Sequence, residues 1–166
     1  MSIIYQLNIN YLMPKYSFED YNEYNTLKIP SLLIILNLYL LKYFVIFILP
    51  MISKISAVKL FAHEQFTVIL LLPAIPAILV LVAMIQRVPE SRYVKVVKRI
   101  WGIGRWLLLS GILLEIVILS LYILLDVKKL DEALLIFLYL DFMAIVYLLK
   151  SQRVQDVFSE FPEKSI

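Results

Sequence analysis

At 166 residues, 62% hydrophobic and 17% charged, the chain is one domain too apolar for a water-facing surface; soluble domains run about 45–50% apolar and roughly 25% charged. There is no cysteine, which excludes disulfides, thiolate clusters and covalent haem attachment. The net charge of +3 carries less information than the placement of the sixteen basic residues.

From Met1 to Met13 there is no basic residue, and Asn8 and Asn10 interrupt the apolar run. This is unlike a cleavable signal, so the first span is expected to act as an uncleaved insertion signal. Residues 1–30 read as an irregular cytoplasmic segment near the membrane surface, with Glu19, Asp20 and Glu23 set among Tyr16, Phe18, Tyr21 and Tyr24. Two readings stand side by side. The segment is a solvated tail with its rings at the headgroup level, or its acids dock on a basic loop of the same side.

Crossing a hydrocarbon core roughly 30 Å thick takes about 20 mostly apolar residues in a helix. Four segments meet or approach this: 31–52, 66–86, 100–125 and 133–149, the last and shortest able to borrow length from Leu130. The fold class is therefore all-α, a polytopic membrane protein with four transmembrane helices spread over residues 31–150 and a cytoplasmic tail over 151–166. Pro30 suits a first helical turn, and Pro50 and Pro89 fall near helix ends, where an interrupted ladder is cheap. The connection between spans one and two, Ser53 to Gln65, reads as an outer loop, with His63 a solvated loop residue. Residues 126–132 form a charged outer turn.

Four spans place both termini on one side with the loop between spans two and three. That side carries eleven basic residues, among them Arg87, Arg92, Lys95, Lys98, Arg99 and Arg105. The opposite side carries four: Lys54, Lys59, Lys128 and Lys129. The positive-inside bias puts both termini in the cytoplasm. Between Pro89 and Trp101 the pattern is amphipathic, with Tyr93, Val94, Val97 and Trp101 on one helical face and Arg92, Lys95, Lys98 and Arg99 on the other. This basic face is expected to meet anionic phospholipid, or the acidic N-terminal segment. No nucleic-acid-binding fold accompanies it. Residues 150–161 extend the fourth helix outward, with Val154, Val157, Phe158 and Phe161 at the interface and Pro162 closing it.

Lys42, Glu115 and Asp141 each interrupt an apolar run. A charge at mid-bilayer costs at least about 2.5–3.5 kcal/mol, so it faces a partner or a wet cavity. Counted along a helix at 1.5 Å per residue, all three fall roughly 12–15 Å below the outer boundary. They read as an inward ion pair that fixes packing, or as a proton or ion relay. Pro73 and Pro76 break span two at a similar depth and free the carbonyls of Ile69 and Leu72, for which Lys42 or water is a candidate donor. Gly104 and Gly111 share a face where another helix can approach. Phosphate-binding, zinc-binding and nucleophile-elbow motifs are all missing.

Several stretches resemble the YfeZ-like family, uncharacterised inner-membrane proteins of gammaproteobacteria. These are "DYNEYNTLKIP", with Asp20, Tyr21, Leu27, Lys28 and Pro30; a basic residue within the first span, Lys42; "LLPAIPAIL", with Pro73 and Pro76; and "LDFMAIVYLLKSQRVQDVF", with Asp141 and Arg153. The resemblance covers most of residues 16–158. It implies a bacterial inner membrane and four spans, and no activity.

With no catalytic constellation in view, the leading expectation is a non-enzymatic accessory or scaffold subunit that binds other integral membrane proteins or itself, without a cofactor or metal. The alternative is a small oligomeric transporter or relay using Lys42, Glu115 and Asp141. A lipid-acting enzyme ranks last, because its chemistry usually needs clustered carboxylates with a metal at the interface.

Overall fold

The structure, a computed structural model, describes residues 15–65, 67–89, 92–127 and 131–162. Residues 1–14, Phe66, Lys128 to Leu130 and Lys164, which enter the sequence reading, lie outside these. The described residues form helices and connecting turns with no β-strand, only a single bridge between Tyr21 and Leu27.

The helices are α1 (Ser31–Leu40), α2 (Lys42–Ile52), α3 (Ser56–Gln65), α4 (Ala74–Ile85), α5 (Val94–Gly102), α6 (Gly104–Leu124), α7 (Glu132–Lys150) and α8 (Gln152–Ser159). Among the described residues, three stretches are long and apolar enough to cross a membrane: Val68–Ile85, Gly104–Leu124 and Glu132–Lys150. A fourth is complete if α1 and α2, bent by 59° at their junction, form one span.

That bend corrects the expectation of one continuous helix over 31–52. The ladder breaks at Leu41, whose N–H reaches Leu38 and Tyr39 instead of Asn37. Neither proline nor glycine stands there, the usual causes of a sharp kink. The break lies instead where Tyr39, Lys42 and Tyr43 reach toward buried carboxylates. Pro50 sits inside the last turn of α2. A second correction concerns Ser53 to Gln65, expected as a loop. It carries α3, whose Ala62 is buried beside Ile46 and Tyr43, while His63 is exposed on that helix.

Span two starts as a 3₁₀ turn, Val68–Leu71, before Pro73 and α4. The two carbonyls that its prolines free are satisfied locally: Leu72 N–H donates to Ile69 O at 3.1 Å and Ile75 N–H to Leu72 O at 3.1 Å. Tighter i→i+3 bonds thus replace the lost ones, and Lys42 is not their donor. The small residues Ala74, Ala77, Val80 and Ala83 line the buried face of α4. Gly111 of α6 allows the closest approach there: a Cβ on it would lie 2.7 Å from Pro73 O. At Gly104 an added methyl would collide with the Phe158 ring of α8. The two glycines therefore serve two different neighbours.

Span three is separated from the amphipathic α5 by Ile103, and α5 buries Val97 and Trp101 while Tyr93 stays exposed. After Lys150 the chain turns at Ser151, whose hydroxyl caps Val154 N–H at 3.3 Å. α8 then folds back. Val154, Val157, Phe158 and Phe161 sit in the main core with Leu27, Trp101 and Leu108, so this stretch does not extend α7 outward as expected.

Candidate functional site

The structure brings Lys42, Glu115 and Asp141 together in the bundle. The Lys42 ammonium lies 2.6 Å from Glu115 Oε1 and 2.8 Å from Oε2, and 3.7 Å from Asp141 Oδ1. Side-chain exposure is 10% for Lys42, 1% for Glu115 and 0% for Asp141, so water screens these charges little. The same ammonium faces aromatic rings, 4.0 Å from the Tyr39 centroid and 4.9 Å from that of Tyr43. Cation–π contact is strongest when desolvated, as here.

Two tyrosines complete the centre. Tyr43 Oη donates to Glu115 Oε1 at 3.0 Å. Tyr39 Oη lies 2.9 Å from Asp141 Oδ1 and 3.1 Å from the Phe137 carbonyl. Sequence reasoning missed both, although a signal was present: Tyr39 and Tyr43 are one helical turn apart and flank Lys42, so all three face one way. Asp141 Oδ2 and both amide atoms of Asn37, all buried, have no hydrogen-bond partner among the described residues. The 3₁₀ turn packs beside the centre through Leu70, which clusters with Tyr43, Ile118 and Leu119.

A second polar group ties one end of the bundle together. Arg87 is 6% exposed. Its two terminal nitrogens donate to Leu27 O and Glu160 O, both at 3.0 Å, and its guanidinium lies 4.8 Å from the Trp101 ring centroid. Trp101 Nε1 donates to Val157 O at 2.8 Å, and the Glu160 carboxylate accepts Leu27 N–H at 2.8 Å. Burial lowers the Arg87 pKa, opposed by the Glu160 charge, and a guanidinium remains protonated regardless. A planar fork of donors is what two converging carbonyls need. As one loop charge among several, Arg87 gave the sequence no sign of this role.

The N-terminal segment meets the C-terminal helix. Asp20 pairs with Arg153 at 2.8 Å, and Asp156 receives hydrogen bonds from Lys15 and Tyr16, each at 2.5 Å. These two donors hold the Asp156 pKa below its ordinary value. Arg92, Lys95, Lys98 and Arg99 stand exposed on or just before α5. Among the described residues no grouping of His, Asp and Glu is arranged to hold a metal ion.

On one flank, α1 and α7 diverge to leave an apolar slot of about 330 Å³, lined by Leu32, Ile35, Leu36 and Tyr39 on one wall and Leu140, Met143, Ala144 and Tyr147 on the other. Behind Tyr39 lies the polar centre.

No curated protein and no solved structure matches the chain. A family model does, over residues 16–160, the stretch that holds every span, the polar centre and the Arg87 tie. The chain belongs to the family described as protein of unknown function DUF2919.

Proposed function

We propose that this is a non-enzymatic scaffold subunit of a bacterial inner membrane. It crosses the bilayer four times, with α1 and α2 as one broken span and both termini cytoplasmic, and it associates with other integral membrane proteins. The observation that carries the reading is the slot between α1 and α7. A slot open to lipid is filled by acyl chains or by a partner, and helices associate at membrane depth by close van der Waals packing around small residues. Ala144, a small buried residue in the lining of the slot, leaves room for side chains of a partner helix. The bacterial inner membrane rests on the YfeZ-like resemblance.

A photo-reactive residue at Met143, in the slot, and another at Val117, on an exposed face of α6, test this in cells at native expression. Crosslinks to one recurring membrane protein from Met143 and none from Val117 are expected. Crosslinking to lipid alone from both positions would remove the reading.

A proton or ion relay through Lys42, Glu115 and Asp141 is the second reading, favoured because spans one and two are both broken beside those residues. Ion flux into liposomes that disappears with Asp141→Asn supports it, and flux no different from protein-free liposomes removes it.

A further inference from the structure

Two buried carboxylates face one ammonium. Glu115 holds Lys42 with both oxygens, so those charges cancel. Asp141 is left over: its nearest oxygen is 3.7 Å from Lys42, beyond hydrogen-bond reach, and its other oxygen has no hydrogen-bond partner among the described residues. Among the described residues no further titratable group faces the centre besides Tyr39 and Tyr43; the second span from Val68 to Ile85 contains none. An ionised Asp141 would leave a net negative charge on a side chain with 0% exposure, where an unpaired charge is strongly disfavoured.

The hydrogen count around Tyr39 is independent of that charge argument. Its hydroxyl owns one hydrogen yet lies within bonding distance of two acceptors, the Phe137 carbonyl and Asp141 Oδ1. One hydrogen cannot serve both fully. A second hydrogen, on Asp141 Oδ1, resolves the arrangement: Asp141 donates to Tyr39 Oη, and Tyr39 donates to Phe137 O. The remaining Oδ2 is then a neutral carbonyl oxygen, far cheaper to leave unpartnered than half of a carboxylate.

We propose that Asp141 is a proton-binding site inside the bundle, a neutral carboxylic acid at neutral pH that hands its hydrogen bond to Tyr39, beside an ionised Lys42–Glu115 pair. The inference requires neither the partner slot nor ion flux, so it stands or falls apart from both readings of function.

The test is infrared spectroscopy of the full chain in lipid nanodiscs at neutral pH, with aspartate or glutamate labelled by ¹³C at the side-chain carboxyl. A protonated-carboxyl stretch that shifts with labelled aspartate and not with labelled glutamate is expected. Tyr39→Phe should shift that band, since the proton loses its acceptor. Asp141→Asn, whose amide donates to the same hydroxyl, should abolish it while keeping an unfolding midpoint near that of wild type. Glu115→Gln, which strands Lys42, should lower the midpoint clearly. A spectrum without a protonated-carboxyl stretch, or a stretch that follows the glutamate label, overturns the proposal. So does Asp141→Asn as damaging as Glu115→Gln.

Discussion

At the level of single residues, the polar centre turns on a difference between making and breaking a buried pair. Taking Lys42 and Glu115 out of water is costly, and their attraction repays it only while both are present. Lys42→Met leaves the Glu115 carboxylate with only the Tyr43 hydroxyl as hydrogen-bond partner among the described residues and is expected to destabilise by about 3–5 kcal/mol. Adding Glu115→Gln should recover most of that loss, because the orphaned charge goes with it. Unfolding of the four variants in mixed micelles measures the coupling; strictly additive effects would mean that the 2.6 Å contact carries no energy. The sequence put these residues at a common depth from helix length alone. It left open whether Glu115 or Asp141 was the nearer partner, because depth fixes height along the bundle and says nothing of rotation about each helix. The tyrosines were harder to see, since tyrosine is enriched at membrane interfaces and reads first as an anchor there.

At the scale of helices, close approach and chain reversal decide the architecture. Gly111→Ala would push a methyl against the Pro73 carbonyl, a backbone atom with little freedom to retreat. It is expected to lower the thermal midpoint by pushing α4 off α6. Gly102→Ala has nothing within 4 Å of the added carbon and no positive φ to strain. It should stabilise by up to about 0.5–1 kcal/mol, the usual gain for replacing a helical glycine. Opposite signs from two changes of the same chemistry would show that backbone clearance, not helix propensity, governs the α4–α6 contact. The tie between the N-terminal segment and α8 depends on charge. The Asp156 pKa is held down, first by the hydrogen bond from Lys15 and then by that from Tyr16. A depressed acid contributes stability that is present above its unfolded value, about 3.9, and is lost as pH falls through the lower folded one. Protection factors of amides beside Lys15 and Tyr16, with exchange rates taken relative to an unstructured chain at the same pH, should therefore be highest at neutral pH and fall below about pH 4, and Asp156→Asn should lower them at neutral pH. The pattern of the chain found α5 by its periodicity and three further spans by the length of their apolar runs. It gave no hint that α8 turns back, because the reversal rests on a one-residue cap at Ser151 and on a tertiary landing site built from Leu27, Trp101 and Phe158.

For the molecule as a whole, the tie explains why the described parts of both terminal segments lie at the same end. Arg87 from the loop after span two, Leu27 from the N-terminal segment and Glu160 after α8 share hydrogen bonds, so the three must leave the bundle together. This is what an even number of crossings demands, and it fits α1 and α2 as one broken span. Which side of the membrane that end occupies is a matter of charge. Counted along the sequence for the four proposed crossings, eleven basic residues fall to that end and four to the other, leaving out Lys42. Because the chain has no cysteine, single cysteines report topology without background. Ser56→Cys and Val127→Cys, both at exposed positions of the far end, should react with an impermeant maleimide in intact spheroplasts. Gln152→Cys, exposed at the tied end, should react only after permeabilisation. Neutralising Arg92, Lys95, Lys98 and Arg99 together leaves seven basic residues against four. Since the bias acts through lysine and arginine in short loops, that variant should label at both ends in a mixed population, whereas removing the same number of acids should leave the pattern unchanged. Labelling of Gln152→Cys in intact cells would invert the threading, and would require the basic face of α5 to have crossed the membrane against its own charge.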